Sequence, residues 1–356
     1  MAIHNFNAGP SILPKSVFEE ASRAIIDFNN TGLSILEIGH RTSLFQSVMD
    51  EAIALVKELM QLENTREVLF LHGGASTQFF QVPMNILNDD ETAAYLDCGV
   101  WGTKAIKEAK TFGQVDVVAS SKDKNYTYIP KDVIVPSDVK YYHYTTNNTI
   151  EGTQMHFVPD ANIPLIADMS SDILSRAMDF NRYALIYAGA QKNIGAAGVN
   201  LVIVDKQILG KVQRKLPSMM DYRMHIENGS MLNTPPVFAV YVCLLTLRWL
   251  KSRGGIAGIE KLNNAKANLL YNTLDRLPVF KPTVAKEDRS KMNVVFIIED
   301  AALEQEFLDI CKKEGMIGIK GHRNVGGFRV SLYNALDISS VTELTGMMEH
   351  FAQTKA

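Results

Sequence analysis

The sequence predicts an α/β fold in which helices cover a mostly parallel sheet. Between residues 68 and 253, short apolar runs alternate with amphipathic segments. Such runs are typical of buried strands, and the segments between them are typical of covering helices. A shorter alternation after residue 254 predicts a smaller C-terminal α/β domain. Hydrophobic residues make up 46% of the 356-residue chain and charged residues 21%, as in ordinary globular proteins.

Two helices precede the first predicted strand. Residues 15–29 carry apolar side chains at helical spacing, and residues 43–60 form a strongly amphipathic pattern with Thr42 or Ser43 as N-cap. Each later strand is predicted from a short apolar run, and the helices from the segments between. The predicted strands cover residues 68–71, 93–96, 115–119, 140–144, 163–167, 184–187 and 199–204, with helices from residue 76 and over 104–112.

A long helix closes this part of the chain. In the sequence NTPP, Thr234 can cap the helix and the prolines suit its first turn, while Gly254 and Gly255 are expected to end it. We therefore place a domain boundary at the glycine pair. Beyond it we expect helices over residues 259–274, 301–314 and up to about 351, with strands over 293–298, 316–320 and 328–333.

Charge and cysteine content argue against several classes of protein. The 36 basic and 39 acidic residues give a net charge of −3 without a long basic block, so neither nucleic acid nor a membrane surface is an expected partner. The three cysteines match no metal-binding spacing. The chain begins without a secretory pattern, and its most apolar helical segment is shorter than the roughly 20 residues that span a bilayer. We expect a cytoplasmic protein that binds small molecules and no metal.

Candidate binding residues follow the predicted strands, at the edge where an open α/β sheet binds its ligands. The run HGGASTQ after Leu71 can hold a phosphate on backbone N–H groups, with Ser76 and Thr77 adding hydroxyls, or can be a plain strand-to-helix turn. Trp101 follows the next strand and is either a stacking ring or a core aromatic residue. Thr149 lies in the polar run TTNNTIEG after a later strand.

Two charged residues follow the next strands. Asp168 can cap a helix or, in a dry site, hold a protonated ring nitrogen. Lys192, after Gln191, is either a solvated loop residue or a lysine whose charge has a function, because burying an ammonium is costly. A lysine for a Schiff base, an acid for a pyridinium nitrogen, a phosphate-binding turn and a stacking ring together predict a pyridoxal phosphate site.

Two His-Arg pairs form a second candidate cluster. His40 and Arg41 precede the amphipathic helix, and His322 and Arg323 lie on a glycine-flanked loop. Arg329 lies on the polar face of the strand that follows. If these loops meet, they can bind a substrate that carries both a carboxylate and a phosphate. If they do not, they are separate solvated basic loops.

Seven motifs spread over the chain carry a family resemblance: FNAGPS, EIGHR, LFLHGGAS, ADMSSDILSR, IYAGAQKNIG, NGSMLNTPP and KGHRNVGG followed by FRVSLYNA. By these motifs the chain resembles the phosphoserine aminotransferases, which are class V pyridoxal phosphate enzymes of fold type I. The resemblance implies transamination between glutamate and 3-phosphohydroxypyruvate, giving O-phosphoserine and 2-oxoglutarate in L-serine biosynthesis. In many bacteria the same enzyme also forms 4-phosphohydroxythreonine in pyridoxine biosynthesis.

The resemblance also implies roles for individual residues. Lys192 and Asp168 would be catalytic, the first binding the cofactor as a Schiff base and the second holding its ring nitrogen. Trp101 would stack on the ring, and Thr149 would lie near its phenolic oxygen. The implied cofactor-phosphate contacts are Ala75, Ser76 and Gln191, joined by Asn233 and Thr234 from the second subunit of a homodimer. The implied substrate contacts are Arg329 for the α-carboxylate, and His40, Arg41, His322 and Arg323 for the distal phosphate or carboxylate.

The implied domains are a large cofactor-binding domain over residues 16–253 and a small domain formed by residues 1–15 and 254–356. One departure from the family pattern concerns the glycine-rich turn, where some members carry an arginine and this chain has Ser76. A distal-anion contact is therefore absent or replaced. The alternatives are another class V transaminase, a nucleotide-dependent dehydrogenase, which would need a GxGxxG motif, and a non-catalytic metabolite-binding protein.

Overall fold

The computed structural model describes residues 3–355 and contains nine α-helices and twelve strands in that range. None of these helices is long and apolar enough to cross a membrane. The helices are α1 (Lys15–Ile26), α2 (Ser43–Leu59), α3 (Ala75–Ile86), α4 (Val100–Ala109), α5 (Tyr222–Glu227), α6 (Val237–Ser252), α7 (Gly255–Arg276), α8 (Ala301–Lys313) and α9 (Ile338–Lys355). The strands are β1 (His4–Asn5), β2 (Arg66–His72), β3 (Thr92–Asp97), β4 (Gln114–Ser120), β5 (Tyr142–Thr145), β6 (Leu165–Asp168), β7 (Tyr183–Gly189), β8 (Val199–Asp205), β9 (Lys281–Pro282), β10 (Asn293–Ile297), β11 (Met316–Ile317) and β12 (Phe328–Ser331).

A seven-stranded sheet forms the centre of the fold, in the order β2-β8-β7-β6-β5-β3-β4. Only β8 is antiparallel to its neighbours, and it forms a hairpin with β7. The other neighbouring pairs are parallel, so their carboxyl ends lie at one edge of the sheet. The α/β fold class predicted from the alternating segments is confirmed.

Both faces of this sheet are buried except at the edge strand β4, as expected for parallel strands covered by helices. In β2, Val68 and Phe70 belong to a core shared with α1, α2 and α6, while Leu69 and Leu71 belong to a core shared with α3 and α4. Successive side chains on a strand point to opposite faces, so one apolar run supplies both cores. The sheet is therefore held from two sides, and its edge is a rigid platform.

A third core surrounds the antiparallel sheet β12-β10-β9 and includes apolar residues of α7, α8 and α9. Phe328 and Val330 of β12 lie in this core, which leaves Arg329 on the opposite face, as the alternation predicts. The N-terminal segment joins the same region, because β1 pairs with β11 and Phe6 lies in the third core. The division into two domains remains a prediction.

Three predicted helix starts are wrong. The helix predicted over 259–274 begins at Gly255. The helix predicted over 104–112 begins at Val100, so Trp101 lies in its first turn. Thr234 does not cap α6, which begins at Val237 after Pro236. A residue before a proline is disfavoured in helical geometry, so Pro235 stays outside the helix. The strand predicted over 316–320 is also shorter, and covers only Met316–Ile317.

The turn after β7 packs closely against α6, and this contact generates a prediction for Gly195. A Cβ at this position would lie 2.8 Å from Cys243 Sγ and 3.0 Å from Cys243 Cα. We expect Gly195→Ala to lower the free energy of unfolding by about 1–3 kcal/mol, the usual cost of overpacking a core. Urea unfolding at fixed protein concentration measures this loss.

Gly346→Ala is the matched control, because Gly346 lies within α9 and a Cβ added there would meet no neighbouring group within 4 Å. This change should raise the free energy of unfolding by about 0.4–1 kcal/mol, since alanine restricts the unfolded chain. An unchanged stability for Gly195→Ala would contradict the close packing of the turn.

Candidate functional site

A cavity of about 470 Å³ opens at the carboxyl edge of the seven-stranded sheet. Its lining comes from the ends of several strands, from the first turns of α3 and α4, and from the loop before β12. The lining residues that were predicted from the sequence are Ala75, Ser76, Trp101, Thr149, Asp168, Gln191, Lys192, His322, Arg323 and Arg329. A more open depression of about 820 Å³ lies elsewhere, between α2 and α7, and its Lys251 is already paired with Glu58 at 2.7 Å.

Lys192 lies in the loop between β7 and β8, and its side chain is buried. Its Nζ donates a hydrogen bond of 2.8 Å to Thr149 Oγ1. Burial lowers the pKa of Lys192 to about 8, against the attraction of the Asp168 carboxylate. The backbone of Lys192 is held by the N-terminal segment, because the Ser11 hydroxyl donates to the Lys192 carbonyl at 2.7 Å. The lysine is therefore a buried, oriented amine that can lose its proton near neutral pH.

Asp168 is the last residue of β6 and is almost fully buried. The backbone N–H of Ser170 donates to its Oδ1 at 2.9 Å. Burial raises the pKa of Asp168, and the hydrogen bonds from Ser170 act in the opposite direction. Ser170 is itself held, since its Oγ accepts from the Gly189 N–H at 3.1 Å. A carboxylate in this setting favours a cationic partner inside the cavity.

The glycine-rich turn connects β2 to α3. Gly73 has a φ of +95°, which a residue with a side chain adopts only with strain, and Gly74 precedes the helix. Because Gly74 has no side chain, the first N–H groups of α3 receive no cap from it. Asn200 on β8 donates to the Gly74 carbonyl at 2.8 Å and fixes the turn. Unpaired N–H groups at a helix start form a site for an anion such as a phosphate.

Trp101 lies beside this turn on α4. The start of the helix is held by Glu151, whose Oε1 accepts from the Val100 N–H at 2.9 Å. The indole Nε1 is buried without a hydrogen-bond partner among residues 3–355. A flat ring fixed at the mouth of the cavity can stack on a planar ligand.

A positively charged group lines the other end of the cavity. Burial lowers the pKa of His322, and the charges of Arg329, Arg323 and Lys104 lower it further. The Arg329 side chain lines the cavity, and its Nε has no partner in the described part of the chain. The structure thus brings one of the two His-Arg pairs together with the third arginine.

Four predicted site residues do not line the cavity of their own chain: His40, Arg41, Asn233 and Thr234. His40 and Arg41 lie in the turn before α2, and His40 Nε2 is buried without a partner within residues 3–355. Thr234 lies next to the end of β2, where its carbonyl oxygen is 2.8 Å from His72 Nε2. Asn233 Nδ2 lies 3.0 Å from the same ring nitrogen.

Comparison with known proteins identifies the family. The model of the class-V aminotransferases matches residues 3–344. The chain is a class-V aminotransferase. The family resemblance predicted from the sequence motifs is confirmed.

Relatives of this aminotransferase match along their whole length. Phosphoserine aminotransferase of Flavobacterium johnsoniae is 56% identical over 350 residues, which are 98% of each chain. The structure of phosphoserine aminotransferase from Bacillus circulans subsp. alkalophilus has a TM-score of 0.97 and 42% identity, and the match covers 100% of this chain and 99% of that one. The pyridoxal phosphate-bound enzyme from Trichomonas vaginalis has a TM-score of 0.93 and 34% identity, covering 98% and 100%.

Ser170 and Lys104 are two of the cavity-lining residues of this aminotransferase that were not predicted from the sequence. Ser170 follows Asp168 by two positions, a spacing typical of a side chain that accepts from its own backbone, so this signal was present. Lys104 lies one helical turn after Trp101 and lines the cavity. Lys104 was not predicted as a cavity residue, because the helix was expected to begin only at residue 104. The earlier start at Val100 is held by Glu151, which is distant in sequence and accepts from the Val100 N–H.

The buried Lys192 generates a prediction about stability and pH. Its pKa is about 8 in the folded protein against an ordinary 10.5, so between these values the unfolded chain binds more protons and the free energy of unfolding rises with pH. At about 1.4 kcal/mol per pKa unit, we expect Lys192→Met to stabilise the cofactor-free protein at pH 7 by about 2–3 kcal/mol. This gain should shrink toward pH 10, as measured by urea unfolding.

Lys107→Met is the control, because Lys107 is an exposed lysine of α4 that does not line the cavity. Its stability difference should be small and should not change over the same pH range. A Lys192→Met protein that is less stable than the parent at pH 7 would contradict a costly buried ammonium.

Proposed function

We propose that this aminotransferase transfers the amino group of glutamate to 3-phosphohydroxypyruvate, giving O-phosphoserine and 2-oxoglutarate in L-serine biosynthesis. The observation that carries the proposal is the cavity, which joins a buried lysine and acid to an unpaired arginine and a His-Arg pair. Relatives named phosphoserine aminotransferase, at 52–56% identity over at least 98% of this chain, support it.

The cavity fits pyridoxal phosphate. Its volume of about 470 Å³ lies in the range of cofactor sites, roughly 300–1,000 Å³, and an amine, a carboxylate and a ring line it together with the open start of α3. Pyridoxal phosphate, when bound, supplies an aldehyde that carries the amino group and a ring that takes up electrons from the substrate Cα. Ala75, Ser76 and Gln191 would hold its phosphate, and Trp101 would stack on its ring.

Lys192 would hold the aldehyde of the cofactor, and its amine would move the proton at the substrate Cα. Its pKa of about 8 suits both roles, because the amine must be neutral to attack and able to carry a proton afterwards. Thr149, which accepts from Lys192 Nζ, orients the amine and would contact the phenolic oxygen of the cofactor. Asp168 would keep the ring nitrogen protonated, and Ser170 holds the carboxylate in place.

The two ends of the substrate are bound by different cations. Arg329 suits the α-carboxylate, because a guanidinium binds a carboxylate with two parallel hydrogen bonds. His322 and Arg323 suit the distal group, which is a phosphate in one substrate and a carboxylate in glutamate. Since the same residues must bind both distal groups in turn, charge rather than shape is the common property that they recognise.

A second copy of the chain completes the site in this proposal. His40 and Arg41 lie outside the cavity of their own chain, and so do Asn233 and Thr234. The segment before His40 exposes large apolar side chains, among them Ile26 at 82% and Leu36 at 62%. Exposed apolar side chains of this kind are typical of protein interfaces. In this proposal the protein is a cytoplasmic homodimer. The residues that enter the cavity of the partner subunit are His40, Arg41, Asn233 and Thr234.

The reaction is tested with purified protein, glutamate and a panel of oxo acids. We expect 3-phosphohydroxypyruvate to be used far better than pyruvate or glyoxylate, with 4-phosphohydroxythreonine tested as amino donor in the reverse direction. Lys192→Ala should fold but lose transamination, because no other residue of the cavity can supply the amine at that position. Full activity of Lys192→Ala, or equal rates for plain and phosphorylated oxo acids, would contradict the proposal.

Shared active sites are tested by co-expressing Lys192→Ala and Arg41→Ala subunits that carry different tags. In a two-fold symmetric dimer, each mixed pair has one intact site if Arg41 acts across the interface, so random pairing restores about a quarter of the parental activity. Lys192→Ala mixed with Arg323→Ala is the control. Arg323 lines the cavity of its own chain, so this mixture should restore none. No recovery in the first mixture would place Arg41 in the site of its own chain, and parental activity in Arg41→Ala homodimers would place it outside the site.

A further inference from the structure

Lys104 is a cationic residue that lines the cavity, and the proposed reaction does not use it. It lies on α4, three residues after Trp101, so both side chains are on the same side of the helix. Its Nζ is 4.4 Å from the centroid of the Trp101 ring. Such a contact with an aromatic face keeps an ammonium in place without neutralising it.

The charge of Lys104 is not compensated by an acid. No ion pair among residues 3–355 includes Lys104. The cavity lining contains four cationic side chains, Lys104, Lys192, Arg323 and Arg329, and one acid, Asp168. Asp168 already accepts from Ser170 and lies with Lys192 at the sheet edge. The Lys104 ammonium is therefore available to an anionic ligand.

Lys104 belongs to the end of the cavity that holds the His-Arg pair. Its charge acts on His322, together with those of Arg323 and Arg329, so these groups share one region. The Trp101 indole N–H, buried without a partner in the described part of the chain, adds a donor beside it. The glycine-rich turn contributes a neutral side chain, Ser76, and so adds no cation from its side.

We propose that Lys104 is a specificity-determining residue that binds the distal phosphate of the substrate, supplying the cation that the glycine-rich turn lacks. The inference rests on the proposed function and names one further residue for it. A phosphate monoester carries about −1.5 to −2 charges at pH 7, whereas a carboxylate carries one. Removing one cation should therefore weaken binding of the phosphorylated substrate more than binding of glutamate.

Lys104→Met tests this inference in the holoenzyme. We expect the KM for 3-phosphohydroxypyruvate to rise about ten- to thirtyfold, as for loss of a hydrogen bond between charged groups. The kcat and the KM for unphosphorylated hydroxypyruvate should change less than about twofold. Lys107→Met, on the same helix but outside the cavity, should leave all constants unchanged.

An equilibrium measurement separates binding from turnover. 3-Phosphoglycerate has the carboxylate and phosphate but neither an amino nor an oxo group, so it binds without reacting. We expect Lys104→Met to weaken its binding to the holoenzyme about tenfold by calorimetry, and to leave the weaker binding of glycerate unchanged. Lys104→Arg, which keeps the charge, should bind within about threefold of the parent.

Chemical rescue gives a further check, since Lys104→Cys treated with 2-bromoethylamine regains an ammonium at nearly the same position. The native cysteines do not interfere, because burial raises the pKa of Cys98, Cys243 and Cys311 to about 12 and leaves them as unreactive thiols. We expect the modified protein to regain most of the lost affinity for 3-phosphoglycerate.

Three outcomes would overturn the inference: unchanged constants in Lys104→Met, equal losses for the phosphorylated and plain substrates, or an equal loss in Lys107→Met. If the parent enzyme uses 3-phosphohydroxypyruvate well and Lys104→Met is unchanged, only the role of Lys104 fails. If the parent enzyme does not use 3-phosphohydroxypyruvate, the proposed function and this inference fail together.

Discussion

The buried ammonium of Lys192 is the constraint on which the arrangement of the site depends. An isolated charge in a protein interior costs several kcal/mol, so it must be paired, hydrogen-bonded or neutralised. Here Thr149 accepts its hydrogen bond and Asp168 attracts it, yet burial still lowers the pKa to about 8. The balance leaves an amine that can exist in either protonation state near neutral pH. Stronger pairing would keep the lysine charged, and weaker pairing would destabilise the loop that carries it.

The charge of the cavity differs from that of the whole chain. The chain carries a net charge of −3, whereas the cavity lining has four cationic side chains and one acid. Concave walls of low dielectric constant focus such a local field and attract anions from solution. Both proposed substrates are anions at both ends. The acidic surface elsewhere limits unspecific binding of polyanions, while the cavity still attracts small ones.

Much of the fold and most of the charged side chains of the cavity could be predicted from the sequence. Strands such as β2 and β7 are encoded by local apolar runs, and the residues after parallel strands meet at one edge for geometric reasons, so Asp168 and Lys192 were predicted correctly as neighbours. A functional role for each residue is predicted only by the whole set and by the family motifs. The start of α4 and the place of Lys104 depend on Glu151, a partner about fifty residues away, which local sequence does not reveal. His40 and Arg41 do not line the cavity of their own chain, and their proposed role in a partner's cavity involves contacts that one chain does not contain.

The hairpin of β7 and β8 has a consequence for how the site assembles. Only residues 190–198 join these strands, whereas β2 must find β8 across more than a hundred residues. Closing a short loop loses less chain entropy, so pairings local in sequence are favoured early in folding. The β7–β8 hairpin therefore favours formation of the lysine-bearing loop before the long-range pairing of β2 with β8 is complete. The acid and the aromatic ring then join a lysine whose backbone path is already set.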